Sequence, residues 1–185
     1  MMMKEISLHV LDIIQNSIVA EATLVTIEVE VQHERDWMRV AVGDNGRGMN
    51  EDLLARVISP FTTSRTTRKV GLGIPMFKAG AEAAGGAFAI RSKVGEGTFI
   101  QAEYAISHLD RPPLGDMAET IYATVICNPT LDFAYHYQVD QAEYRFDTRE
   151  VKQILGEGIP LNLPEVAAWI KDDLTEGIHV LYGGV

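Results

Sequence analysis

Asp44-Asn45-Gly46-Arg47-Gly48 stands directly after an apolar, β-branched run from Trp37 to Val42, and the reading of these five residues decides the fold. The run has the composition of a strand, and the pentapeptide behind it that of a glycine-opened turn. A carboxylate at a strand end can accept a hydrogen bond from an exocyclic amine, and glycines beside it permit dihedrals and close backbone approach that side chains block. Alone, the string also suits a calcium loop or a plain turn. The calcium reading fails on ligand count, because the alternating acidic or amide positions and the terminal Glu of an EF-hand loop are missing.

On the N-terminal side, Ile6, Val10, Ile13, Ile14 and Ile18 recur at helical spacing and predict a helix over 4–20, with Glu5, His9, Asp12 and Asn16 on another face. The four-residue offset of Asp12 and Asn16 lets their oxygens converge on one cation or water; a solvated stripe is the bland alternative. Leu24 to Val31 reads as a further strand, joined to Trp37–Val42 through a polar hairpin connection at His33 to Asp36.

On the C-terminal side, Asn50 suits the cap of a short helix through Ile58, which Pro60 ends. Between residues 56 and 69, Arg56, Arg65, Arg68 and Lys69 cluster without Asp or Glu, as an exposed basic loop or as a local polyanion site. Gly71-Leu72-Gly73 then leads into a helix with Pro75 in its first turn and Gly85-Gly86 as its stop. Exposed amides at such a start attract anions. A dinucleotide fold fits less well, since the third glycine of its motif and a surrounding parallel βαβ unit are absent. Ala87 to Arg91 and Thr98 to Ala105 read as two strands around a turn at Gly95-Glu96-Gly97.

Taken in order, Asp12 with Asn16, D-x-G-x-G at 44–48, Phe61 with a Thr/Ser/Arg-rich loop, G-L-G-I at 71–74 and S-x-x-G-E-G-T at 92–98 resemble the GHKL, or Bergerat-fold, ATPase superfamily. The resemblance covers about residues 4 to 107, and its strength lies in the set rather than in any one string. It implies an α+β fold, a two-layer α/β sandwich with a mixed sheet and a helical face, that binds ATP with Mg2+. Carried over residue by residue, Asn16 resembles the magnesium ligand and Asp44 the acceptor of the adenine amine. Gly46 and Gly48 would line the base with Met49 beside them, and Thr98 would support the adenine-side network. Gly71, Leu72, Gly73 and Ile74 resemble the phosphate cradle. Pro60-Phe61-Thr62-Thr63-Ser64-Arg65 looks like the start of a lid, which would bring Phe61, Thr63, Ser64, Arg65, Arg68 and Lys69 to the phosphates.

Hydrolytic members of that superfamily carry a glutamate as general base where this chain has Asp12, one methylene shorter, which argues against rapid hydrolysis unless a shifted water compensates. Histidine kinases precede the domain with a dimerising helical pair bearing the phosphoacceptor histidine, and none precedes it in this sequence. His9 is read as a polar face residue near the site. The resemblance therefore implies a stand-alone kinase acting on serine, threonine or histidine of a protein partner, with a slow ATPase switch or a nucleotide sensor as alternatives.

Composition bounds the rest. The 185 residues suffice for one domain with an appendage, and the expected division is an ATP-binding domain over 1–107, a Pro- and Gly-containing linker over 108–116 and a small α/β subdomain over 117–185. In that last part Met117 to Cys127 reads as helix or strand, Thr148 as the cap of a helix to Leu155, and Asn162 as the cap of one from Pro164 to about Leu174. Tyr135, Tyr137 and Tyr144 suit strand packing better than a partner surface. The formal charge of −10 disfavours nucleic acid and anionic lipid. No apolar run approaches the roughly 20 residues of a membrane span, and no secretory signal is evident, so a cytoplasmic protein is expected. The single Cys127 is expected as a small buried hydrophobe, and a homodimer stays open.

Overall fold

Residues alternate between buried and part-exposed along β1 (Leu24–Gln32), so that Val25, Ile27, Val29 and Val31 form one apolar face. The register carries that face across the sheet, pairing Ile27 with Val42 of β2 (Trp37–Asp44), and Val42 with Ile100 of β4 (Gly97–Ala105). The computed structural model describes residues 5–58, 73–156 and 158–181. Its strands form one six-stranded sheet in the order β3-β4-β2-β1-β5-β6, completed by β3 (Phe88–Lys93), β5 (Asp132–Val139) and β6 (Ala142–Asp147). The pairing of β1 with β5 is parallel and the others are antiparallel, which makes the sheet mixed.

One face carries the helices. In α1 (Ile6–Val19) Ile6, Val10, Ile13 and Ile14 are buried, and in α3 (Gly73–Ala83) Ile74, Phe77 and Ala81 are. Beside them α4 (Met117–Cys127) buries Met117, Ile121 and Val125, and α6 (Pro164–Leu181) buries Ile170, Leu174 and Ile178. The other face is polar, with Arg39 donating to Glu28 at 3.0 Å and Glu30 at 3.3 Å. Each fully buried Ile contributes about 1.5–3 kcal/mol, whereas exposed ion pairs contribute about 0–1 kcal/mol, so the helix-facing rows hold the sheet together. The expected two-layer α+β sandwich is the fold observed.

Residues beyond 107 complete the sheet. Strand β5 runs beside β1 with eight paired positions from Leu24–Asp132 to Val31–Val139, and β6 forms the edge. The stretch expected as a linker is held against α1. The amides of Ile6 and Ser7, which lack intrahelical partners at a helix start, donate to the Pro113 and Leu114 carbonyls at 2.9 Å each, and Leu114 is buried.

Several local expectations change. Asp147, not Thr148, caps α5 (Thr148–Leu155), its carboxylate accepting from the Arg149 amide at 2.8 Å. Thr148 is buried and its hydroxyl accepts from the Phe133 amide at 2.9 Å, a bond to β5 that local sequence cannot foresee. Helix α6 continues to Leu181 because its apolar spacing persists through Leu174 and Ile178. Cys127 ends α4 exposed rather than buried. Tyr135 and Tyr137 are core residues with stacked rings 6.3 Å apart, and half-buried Tyr144 donates to Asp173 at 2.6 Å.

Candidate nucleotide-binding site

Strand register places the first two groups of the site. Asp44 pairs with Thr98, both continuing the helix-facing rows one step past Val42 and Ile100, where the helical layer opens. There a cavity of about 400 Å³ lies between the sheet and α1, α2 (Glu51–Ile58) and α3. Ile13, Val57, Ile74 and Ile100 give it apolar walls, and Asn16, Ser17, Asp44 and Thr98 give it polar ones. This is the composition of a small-molecule site, mostly apolar with a few converging polar groups.

The polar groups are fixed by named bonds. Asp44 accepts from the Gly46 amide on Oδ1 at 2.9 Å and from the Ser17 hydroxyl on Oδ2 at 2.8 Å. Ser92 accepts from the Met49 amide at 2.8 Å, donates to the Gly97 carbonyl at 3.0 Å and lies 2.8 Å from the Thr98 hydroxyl. With its single proton on that carbonyl, Ser92 leaves Thr98 as the donor between them. Asn45, inside the opening pentapeptide, holds the loop before β1 by accepting from the Thr23 and Leu24 amides at 2.9 Å each.

Glycine is required where backbones meet. A Cβ on Gly48, whose φ is +65°, would stand 1.9 Å from the Lys93 carbonyl oxygen. Gly48→Ala is therefore expected to cost about 2–4 kcal/mol. Gly95→Ala, at φ +81° with nothing within 4 Å, isolates the backbone term of about 1–2 kcal/mol. Urea unfolding of both variants tests the difference, and equal losses would contradict the close approach. At Gly46 the space of a Cβ is taken by Ala20 and the Asp44 carboxylate.

One turn of α1 carries the other chemistry. The Asn16 side chain lines the cavity, and its Nδ2 is buried with no hydrogen-bond partner among the described residues. A buried orphan donor in a cavity wall fits a ligand, and rotating the amide end for end offers its oxygen instead. Among the described residues no group of three His, Cys, Asp or Glu side chains could hold a metal. Asp12 accepts from the Gly73 amide on Oδ2 at 2.7 Å, tying α1 to the first residue of α3. A Cβ on Gly73 would lie 2.1 Å from that carboxylate oxygen.

Residues 4–107 match the family described as histidine kinase-, DNA gyrase B-, and HSP90-like ATPases. The chain belongs to this ATPase family. Like its other members it contains an ATP-binding domain, related to that of histidine kinases. A non-motile and phage-resistance protein of Caulobacter vibrioides is 31% identical over 110 residues, 55% of this chain and 13% of that protein. The sensor protein kinase FleS of Pseudomonas aeruginosa is 39% identical over 58 residues, 31% of this chain and 14% of the kinase. The aligned parts thus span about a seventh of these relatives. The ATPase domain of Aquifex aeolicus MutL complexed with ADP shares the fold, with a TM-score of 0.52 and 13% identity over 94% of this chain and 70% of that one. That likeness of fold necessarily reaches beyond residue 107.

Within this ATPase domain the structure brings Asn16, Asp44, Gly48, Met49, Ile74 and Thr98 around one cavity. Gly46 is bonded to the cavity's Asp44, whereas Gly73 is bonded to Asp12, and neither Gly73 nor Asp12 lines the cavity. Phe61, Thr63, Ser64, Arg65, Arg68, Lys69, Gly71 and Leu72 lie outside the described residues. Sequence reasoning missed Ser17 and underused Ser92, whose roles depend on partners 27 and 6 residues away.

His9 is not on a polar face. It is buried, its ring centroid 6.2 Å from that of Phe77, with no partner for Nδ1 among the described residues. Burial holds its pKa below the ordinary histidine value, an effect the Asp12 charge opposes. The unfolded chain protonates His9 near pH 6.5 and the folded protein only at lower pH. The unfolded state thus binds more protons in that window, and stability is lost as pH falls through about 6.5. His9→Leu should reduce this loss, read as the shift in urea midpoint between about pH 7.5 and pH 5.5. An unchanged shift would place the acid sensitivity elsewhere.

Proposed function

We propose that the cavity between α1 and the sheet binds Mg-ATP and that the protein transfers the γ-phosphoryl group to a serine, threonine or histidine of a protein partner. Asp44 and Thr98 receive the adenine, Asn16 the magnesium ion, and the Gly71–Ile74 segment the phosphates. Magnesium supplies charge neutralisation on the phosphates when bound. The observation that supports transfer over hydrolysis is the Asp12–Gly73 bond of 2.7 Å, which ties one oxygen of the shorter carboxylate at the general-base position to the start of α3. In the transfer the bond from the γ-phosphorus to the bridging oxygen breaks, a bond to the acceptor atom forms, ADP leaves, and the acceptor's proton passes to solvent or a base.

Buried His9 is a poor acceptor, which supports an acceptor on a second protein. The net charge of −10 supports a protein rather than a nucleic acid in that role. Among the described residues no helix is long and apolar enough to cross a membrane, and we place the reaction in the cytoplasm.

The test uses ATP labelled on the γ-phosphate, magnesium and an extract of the cells that make the protein. Label on a second protein, lost in Asp44→Ala, is the expected result. Free phosphate released by the purified protein alone would replace this reading by a slow ATPase switch, and bound, unconsumed ATP by a nucleotide sensor.

A further inference from the structure

We infer that Ser17 is a positioning residue that sets the adenine selectivity of the cavity by holding the Asp44 carboxylate in the plane that receives the base. The inference rests on the reading of this cavity as the Mg-ATP site.

Ser17 follows Asn16 on α1 and is 1% exposed, so its hydroxyl has only protein partners when no ligand is bound. Two acceptors are within reach, Asp44 Oδ2 at 2.8 Å and the Ile13 carbonyl at 3.2 Å. A hydroxyl has one proton, and the shorter bond to a carboxylate is the stronger. The proton is therefore committed to Asp44, on a residue that lines the cavity.

The consequence for Asp44 is a carboxylate clamped at both ends. The Gly46 amide holds Oδ1, and among the described residues Ser17 holds Oδ2. Rotation about the terminal torsion of an aspartate is soft, so a single donor fixes it poorly. Two donors fix its plane, and that plane decides where an exocyclic amine must stand to donate. The clamped carboxylate presents only acceptors, which suits an amino group and opposes a carbonyl at the same position of the base.

The experiment compares ATP with the triphosphate of purine riboside, which lacks only the exocyclic amine. Both are titrated with magnesium into the full chain, wild type, Ser17→Ala and Ser17→Cys. Wild type should prefer ATP by about 10–100-fold, the worth of a hydrogen bond to a charged group. Both variants should lower that ratio by about 3–10-fold, since alanine removes the donor and cysteine weakens it. Purine riboside triphosphate should bind all three proteins alike. A merely structural serine would weaken both nucleotides together and leave the ratio at its wild-type value, which overturns the inference. Wild-type protein that binds neither nucleotide refutes the Mg-ATP reading itself, and with it the inference. Wild-type protein that binds both equally removes the amine contact on which Ser17 acts.

Discussion

Asp44→Asn is expected to lower the affinity for ATP by about 100-fold or more while the protein stays folded. The two bonds on the carboxylate set this effect. The Gly46 amide is a fixed backbone donor 2.9 Å from Oδ1, so the oxygen of the asparagine must turn to it. The amino end then faces Ser17, whose hydroxyl can redirect its proton to the Ile13 carbonyl at 3.2 Å and accept instead. Every local bond is remade, which is why the fold should survive. The cavity, however, now meets an amino donor where it met a carboxylate. Two donors face each other if adenine binds as proposed, and the amine must leave its water without a replacement. A base carrying a carbonyl there loses less, so discrimination of ATP over GTP should collapse as well. Calorimetric titration with both nucleotides checks it; unchanged ATP affinity would mean that the base does not use Asp44.

The sequence showed the elements of this site more clearly than their supports. Asp44 and Thr98 were legible because strand ends, glycines and polar side chains are local signals, and their pairing follows once both strands join one sheet. The helix caps were partly legible, since Asn50 does accept from the Leu53 amide at 2.9 Å. Ser17 was not legible, because a serine among helical apolar residues carries no local sign that its partner is a strand end 27 residues on. The contribution of residues 108–147 was hidden for a related reason. Pro112, Pro113 and Gly115 have the composition of a loose connection, yet the Pro113 and Leu114 carbonyls satisfy the first turn of α1, a bond that composition does not encode. Likewise nothing local states that β5 pairs in parallel with β1, since parallel neighbours lie far apart in sequence.

Asn16→Ala should separate function from stability in opposite directions. In the free protein the Asn16 Nδ2 is buried without a described partner, so the side chain carries a desolvation penalty that alanine removes. Alanine is also the better helix former by about half a kcal/mol. The urea midpoint of the free variant should therefore match or exceed that of the wild type. Magnesium held by few protein oxygens depends on each of them, and loss of one should weaken Mg-ATP binding by about 10–100-fold. Binding measured with a chelator should change far less, because the adenine contacts are untouched. A ligand that binds only the folded state adds stability as RT ln(1 + [L]/Kd), so saturating Mg-ATP should raise the wild-type midpoint well above that of the variant. The order of the two proteins thus inverts between the free and the Mg-ATP-bound condition. A variant that is less stable when free and equally stabilised by Mg-ATP would show instead that Asn16 is a packing residue, and the magnesium would have to be sought on other groups.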